Sequence, residues 1–114
     1  MKGTVYIIPN EDADKLKVLF QALDESIQAA LKGDGRSMQK VPGLQDAIKD
    51  YLMEKETAGE FADAGASLNA ISLKYGLVLR TDELESACEL ADSQMQKVFQ
   101  KAIEQGKAVA IEVS

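Results

Sequence analysis

The amino-acid sequence predicts an α+β fold that is mostly helical, with the element order β-α-α-α-α-β. Segments rich in β-branched residues lie at both ends of the chain, at Lys2–Ile8 and Lys107–Val113. Between them, apolar residues recur at steps of three and four, the spacing of helices with one core-facing side. The chain has 114 residues, 46% of them hydrophobic. That length predicts a single domain, residues 1–114, with one hydrophobic core.

The two terminal segments are predicted to be strands that pair in a small sheet. Lys2–Ile8 stops at Pro9 and is rich in residues that favour strands. A sheet of two strands alone is only marginally stable in water, so helices should cover it. The strands pair either within the chain or across a homodimer, in which edge pairing would enlarge the sheet.

The first helix is predicted to start with Asn10 or Asp12 as its cap and to stop at Lys32 and Gly33. Gly33–Gly43 contains three glycines and a proline, which predicts a loop. A short second helix follows this loop. The predicted core-facing stripes are Leu16, Leu19, Phe20, Leu23, Ile27, Ala30 and Leu31 in the first helix, and Leu44, Ala47, Ile48, Tyr51 and Leu52 in the second.

Two further helices are predicted in the second half of the chain. Thr57 and Glu60 have the spacing of a capping box, which predicts a third helix that ends at Gly76. Leu77–Leu79 is too short to assign. Asp82–Gln105 then carries the longest apolar stripe and predicts one long helix, with Thr81 as its cap and Gly106 as its stop.

The composition excludes several classes of function. A net charge of −6 argues against general nucleic-acid binding, which needs a basic face, and favours a basic protein partner. The single cysteine cannot form an internal disulfide, which suits a reducing compartment. No apolar run approaches the roughly 20 residues of a membrane span, and no secretory signal is visible. A cytoplasmic protein without membrane contact is therefore expected.

Catalytic and metal sites are poorly supported. The chain has no histidine, which removes Ser-His-Asp and Cys-His nucleophile systems. Cys88 lies on an apolar stripe and is expected in the core. Asn10, Asp12 and Asp14 resemble the start of a calcium loop, but Lys15 stands where that loop needs glycine. No cofactor and no metal are expected, and an enzyme using carboxylates or tyrosines is disfavoured.

Acidic residues cluster at the start of the predicted long helix. The helix dipole accounts for part of this charge. Four of the acids recur at steps of three and four and would form one stripe about 15 Å long. The stripe is a solvated face, a docking strip for a basic protein partner, or a short imitation of a phosphate row that occupies a nucleic-acid-binding site. The candidate partner-binding residues are Asp82, Glu85, Glu89 and Asp92.

The glycine-rich segment after the first helix offers an alternative binding site. A pair of glycines followed by basic residues can form a small anion-binding nest, and the next helix can point its N-terminus at the same place. A small anionic ligand or a nucleotide would fit such a site. The candidate ligand loop consists of Gly33, Gly35, Arg36, Ser37 and Lys40.

The leading functional hypothesis is a small acidic, non-catalytic protein-interaction module that forms a homodimer. Such a composition would suit a phage or plasmid accessory protein that inhibits a host factor. Apolar residues off the main stripes, such as Val18, Met53 and Leu90, are candidates for exposed interface positions. The alternative is the anionic-ligand or nucleotide-binding protein described above.

Overall fold

The computed structural model describes residues 2–69, 71 and 73–113. A four-stranded antiparallel sheet, with strands in the order β2-β1-β4-β3, has helices on both faces. The elements along the chain are β1 (Gly3–Ile8), α1 (Asn10–Leu31), α2 (Gly35–Met53), β2 (Thr57–Phe61), α3 (Ala64–Ser67), β3 (Gly76–Leu79), α4 (Thr81–Cys88), α5 (Ser93–Glu104) and β4 (Ala108–Val113).

The predicted pairing of the terminal strands is confirmed, and it occurs within the chain. β1 and β4 are antiparallel in continuous register, from Gly3 opposite Val113 to Ile8 opposite Ala108. They form the centre of the sheet, with β2 outside β1 and β3 outside β4. The mostly helical α+β class is thus confirmed, with a sheet two strands larger than predicted.

Each face of the sheet buries its own apolar cluster. Successive strand residues point to opposite faces, so Val5 and Ile7 join the cluster under α4 and α5, while Ile8 joins the cluster under α1 and α2. Because both faces are covered, the central strands do not alternate between apolar and polar residues. The hairpin-side cluster comprises Ile8, Ala13, Leu16, Phe20, Leu23, Ile48, Leu52, Val78, Ala108 and Ala110.

The predicted third helix is wrong at its start. Thr57–Phe61 is strand β2, paired with β1, and Thr57 lies opposite Tyr6 instead of capping a helix. Gly59 weakens helix formation, and pairing here satisfies the second edge of β1. A helix does follow, but it spans only Ala64–Ser67. Positions 70 and 72 of the predicted helix lie outside the described residues.

The predicted long helix is interrupted. α4 ends at Cys88, and α5 begins at Ser93 with Asp92 as its N-cap. Between them, the N–H of Asp92 donates to the carbonyl oxygen of Ser67 at 2.8 Å. That hydrogen bond ties the break to the segment after α3, an interaction distant in sequence that local periodicity does not encode.

The predicted loop is mostly helix. α2 begins at Gly35, with Asp34 as its N-cap, and continues through Pro42. Proline lacks the N–H that would bond to the carbonyl of Met38. Both residues are exposed, so water can satisfy that carbonyl. The loop therefore shrinks to a tight turn, and α1 and α2 form a long hairpin.

The start of α1 and the start of α4 share a polar joint. Asn10 does not cap α1, whose N-cap is Pro9. Its Nδ2 donates to Oγ1 of Thr81 at 2.7 Å, and its Oδ1 accepts from the N–H of Thr81 at 3.1 Å. Thr81 likewise is no cap, because Arg80 holds that position, and its hydroxyl donates to the carbonyl oxygen of Lys107 at 2.7 Å. This joint fixes the base of the hairpin.

Candidate protein-binding site

The four acids of the predicted stripe do not lie on one helix. Asp82 and Glu85 are on α4 and Glu89 is its C-cap, whereas Asp92 begins α5. The Asp92 carboxylate accepts from the N–H of Met95 at 2.9 Å. That bond, together with one from Ser67, lowers the pKa of Asp92. Asp92 is therefore explained by capping.

The other three acids leave little that indicates a partner. Asp82 lies 3.8 Å from the guanidinium of Arg80. Glu85 and Glu89 make no ion pair or hydrogen bond through their carboxylates within the described part of the chain. Two unpaired carboxylates at helical spacing are ordinary for a solvated face.

The predicted ligand loop places its residues around a helix N-terminus that is already occupied. The hydroxyl of Ser37 donates to Asp34 at 2.9 Å, and the N–H of Arg36 donates to Asp34 at 3.0 Å. These two bonds lower the pKa of Asp34, so its carboxylate stays charged. An incoming anion would compete with this carboxylate for the same N–H groups. Gly33 and Gly35 form the turn, and Lys40 lies further along α2.

The most unusual feature of the surface is the far half of the α1–α2 hairpin. Leu23 is the last buried residue of α1, and Ile48 is the first of α2. None of residues 24–47, here called the overhang, is buried. Leu31 lies eight positions after Leu23, so α1 continues about 12 Å beyond its last buried residue. Ile27 of α1 and Val41 of α2 still pack against the hairpin-side cluster.

The apolar stripes that pack on the sheet continue into the overhang. On α1, Ile27 and Leu31 follow Leu23 at steps of four. On α2, Met38 and Val41 precede Ile48 at steps that keep the same face. Ile27 and Val41 are half-buried, while Leu31 is 77% exposed and Met38 is 60% exposed. We call Ile27, Leu31, Met38 and Val41 the overhang face.

A cleft of about 250 Å³ lies between the hairpin and the end of β4. Phe20 and Leu23 of α1 form one wall, and Glu112 and Val113 at the end of β4 form another. Glu112 and Lys49 bring one charge of each sign to its rim. The full lining is Phe20, Leu23, Gln45, Ile48, Lys49, Tyr75, Glu112 and Val113.

A second, wider groove of about 670 Å³ lies between the two helices. Two residues of the predicted ligand loop, Ser37 and Lys40, line it, and Glu25 of α1 lines it too. A carboxylate beside the lysine offsets the positive charge that an anion would need. Small side chains form much of the remaining wall, namely Ala22, Ser26, Ala29 and Gly43.

Two tyrosines and the cysteine have raised pKa values. Burial, then the nearby carboxylates of Glu112 and Glu60, raises the pKa of Tyr6. Burial and a 2.6 Å hydrogen bond to Asp12 raise the pKa of Tyr51. Burial and the charge of Glu85 raise the pKa of the Cys88 thiol, and a protonated thiol is a poor nucleophile.

Three apolar residues predicted as exposure candidates are indeed exposed. The exposed fractions are 63% for Val18, 78% for Met53 and 44% for Leu90. They lie on α1, at the end of α2 and after α4, so they belong to three separate segments of the chain. Val18 is two residues from both Leu16 and Phe20, which places it off the buried stripe.

Searches of protein-family models, of curated proteins and of solved structures gave no match for this chain. Within the described residues, no three His, Cys, Asp or Glu side chains are grouped so that they could hold a metal ion. None of the described helices is long and apolar enough to cross a membrane.

The overhang was not predicted from the sequence, because the end of α1 was interpreted as core-facing helix and the start of α2 as a loop. Leu31 was assigned to the core-facing stripe, and Met38 to a loop. A usable signal was present: Met38, Val41, Gln45, Ile48 and Leu52 recur at steps of three and four through the supposed loop. That pattern predicts a helix longer than the sheet can cover.

Proposed function

We propose that this protein is a non-catalytic interaction module that binds an amphipathic helix of a partner protein on the overhang face. The observation that carries the proposal is the exposure of Leu31 and Met38, which continue two buried stripes beyond the core. Exposed apolar patches are a recognised mark of interaction sites. Two parallel apolar stripes also form the groove that a third helix fills.

The size of the overhang face favours one helix over a second copy of the chain. The face is about 12 Å long on α1 at the helical rise, and two helices side by side are roughly 20 Å wide. Its footprint is then on the order of 240 Å², well below the roughly 800 Å² per partner of a stable dimer. A helix of about two turns matches its length. The homodimer predicted from the sequence is therefore not assigned to this surface.

Two observations favour a non-catalytic role. The chain has no histidine, and the raised pKa values of Tyr6, Tyr51 and Cys88 keep these groups protonated at neutral pH. Tyr51 is moreover engaged by Asp12. A binding role does not require an activated side chain.

Affinity capture with matched variants tests the proposal. Tagged wild type, Val18→Asp and the double variant Leu31→Asp/Met38→Asp are each recovered from cells that make the protein, and bound proteins are quantified. Aspartates in an apolar interface lose their hydration, so the double variant should recover at least about tenfold less partner. Val18→Asp is the control, because it adds one such aspartate at a comparably exposed apolar position off the face.

A synthetic peptide that covers the candidate helix of the recovered partner should bind with the same ranking of variants. Circular dichroism melting shows that each variant is folded. Equal recovery of the same proteins by all three forms would contradict the proposal. So would a partner peptide that binds as an extended strand.

A further inference from the structure

Ion pairs reach from residues at both edges of the sheet to the helices that cover it. At the β3 edge, Arg80 reaches from the end of the strand to Asp14 on α1 at 2.7 Å, and Lys17 of α1 pairs with Glu83 of α4. Helices from both faces are thus joined around this edge. β2 forms the opposite edge, and among the described strands it pairs with β1 alone.

The backbone of β2 has hydrogen-bonding groups that point away from the sheet. Ile7 donates its N–H to the carbonyl oxygen of Glu56 at 3.3 Å, so alternate residues of β1 direct their backbone toward β2. Gly59 and Phe61, which lie opposite Val5 and Gly3, face β1 in return. Glu60 lies between these two and therefore directs its N–H and C=O outward.

The surroundings of this edge are acidic. Residues 54–63 contain four carboxylates and one ammonium, that of Lys55. Lys55 lies over the ring of Tyr51 at 4.8 Å and near Asp12 at 3.9 Å, so it is held on α1 and α2. The side chains of the edge itself are mostly small, which leaves room for another strand. Two of the four acids are already engaged, since Glu56 lies 3.8 Å from Lys101 and Asp63 accepts from the N–H of Ala66. Glu54 and Glu60 are the acids that a basic strand would meet.

We propose that β2 binds an extended, basic segment of another protein as a fifth strand. Backbone hydrogen bonds to Glu60 would supply the pairing, and lysine or arginine side chains would face the acids. A second copy of this chain fits poorly, because antiparallel pairing of two β2 strands would bring Glu56 and Glu60 of both copies together. Like charges placed opposite one another destabilise a strand pair.

A short capped peptide of alternating lysine and valine is the probe. It is titrated into nitrogen-15-labelled protein, and amide shifts are followed by NMR. The largest shifts are expected across Thr57–Phe61, with affinity that falls as salt rises. Glu60→Gln should weaken binding roughly two- to fivefold, the effect of one exposed ion pair. Glu112→Gln is the matched control, because Glu112 occupies the same cross-strand row on a central strand and should leave binding unchanged.

Peptides with the same charge but N-methylated on either odd or even residues separate backbone pairing from charge attraction. One of the two must lose binding if a strand is added, since N-methylation removes the donors that face β2. The proposal is overturned if both isomers bind as well as the parent peptide. The proposal would also be overturned by amide chemical-shift changes centred on α4, by absence of binding at low salt, or by a homodimer that the peptide dissociates.

This inference does not depend on the overhang face. The double variant Leu31→Asp/Met38→Asp should bind the basic peptide as tightly as wild type does. Loss of peptide binding in that variant would show that the peptide sits on the hairpin and not on β2, which would refute the strand-addition proposal. Failure at the β2 edge alone would leave the proposed function standing.

Discussion

The base and the overhang of the α1–α2 hairpin carry the same apolar spacing in different surroundings. At the base, Leu16 and Leu23 are buried against the sheet, with Ile48 and Leu52 beside them. In the overhang, the stripe continues to Leu31, which is almost fully solvated. The spacing indicates that a face will be covered, but it does not say by what. In the base the cover is the sheet, and in the overhang we propose a partner.

The largest effect should come from the same substitution made in each half of the stripe. Leu16 is 1% exposed, so Leu16→Ala should lower the free energy of unfolding by about 2–5 kcal/mol. Leu31→Ala should change it by less than about 0.5 kcal/mol. Urea denaturation of both variants measures the difference. A large loss at Leu31 would mean that the overhang packs on the protein itself.

Two glycines give a second, smaller contrast. A Cβ on Gly76 would lie 2.2 Å from Cε1 of the buried Phe20 ring, so Gly76→Ala should cost about 1–3 kcal/mol. Gly43 in the overhang has open space at this position, and alanine favours a helix interior. Gly43→Ala should therefore stabilise the protein by about 0.5–1 kcal/mol. Thermal melting should show a lower melting temperature for Gly76→Ala and a higher one for Gly43→Ala. An equal decrease in both variants would contradict this expectation.

The smallest effect concerns the ion pairs at the base. Burial tends to raise the pKa of Glu83, but hydrogen bonds from Lys17 and from the N–H of Arg80 lower it below 4.5. A lowered carboxylate pKa stabilises the folded state above pH 4.5, and this contribution disappears as the pH falls through the folded value. Glu83→Gln should lose less than about 1 kcal/mol at neutral pH.

Urea midpoints measured across the acidic range test this expectation. The difference in unfolding free energy between wild type and Glu83→Gln should shrink toward zero as the pH falls below 4.5. A difference that grows in acid would contradict the assigned direction of the pKa shift.

Part of this fold follows from the sequence alone. The elements that were not predicted depend on contacts between residues that are distant in sequence. The pairing of Lys2–Ile8 with the closing strand was predictable, because two β-rich ends with helices between them have few other partners. β2 was not predictable, since TAGEF (Thr57–Phe61) satisfies a capping-box pattern locally and becomes a strand only through β1. The break at Asp92 was hidden for the same reason, because the apolar residues Ala87, Ala91 and Met95 keep helical spacing across it.

The candidate site was predictable only in its parts. The exposed Val18 and Met53 were foreseen from their positions off the stripes. Exposure of Leu31 depends on where the sheet ends beneath α1, which is a tertiary property. The acidic residues drew attention because charge is visible in a sequence, but capping explains Asp92 and a salt bridge engages Asp82. The phage or plasmid accessory role and the homodimer stay predictions.

Site-specific photo-crosslinking tests the overhang most directly. A photo-reactive amino acid is placed at position 38, and in a second form at position 18, and both proteins are irradiated in the cells that make them. We predict one dominant crosslinked partner from position 38, with the crosslink on the apolar side of a helix, and none of that product from position 18. Equal products from both positions, or a crosslink from position 38 only to a second copy of this chain, would contradict the proposed function.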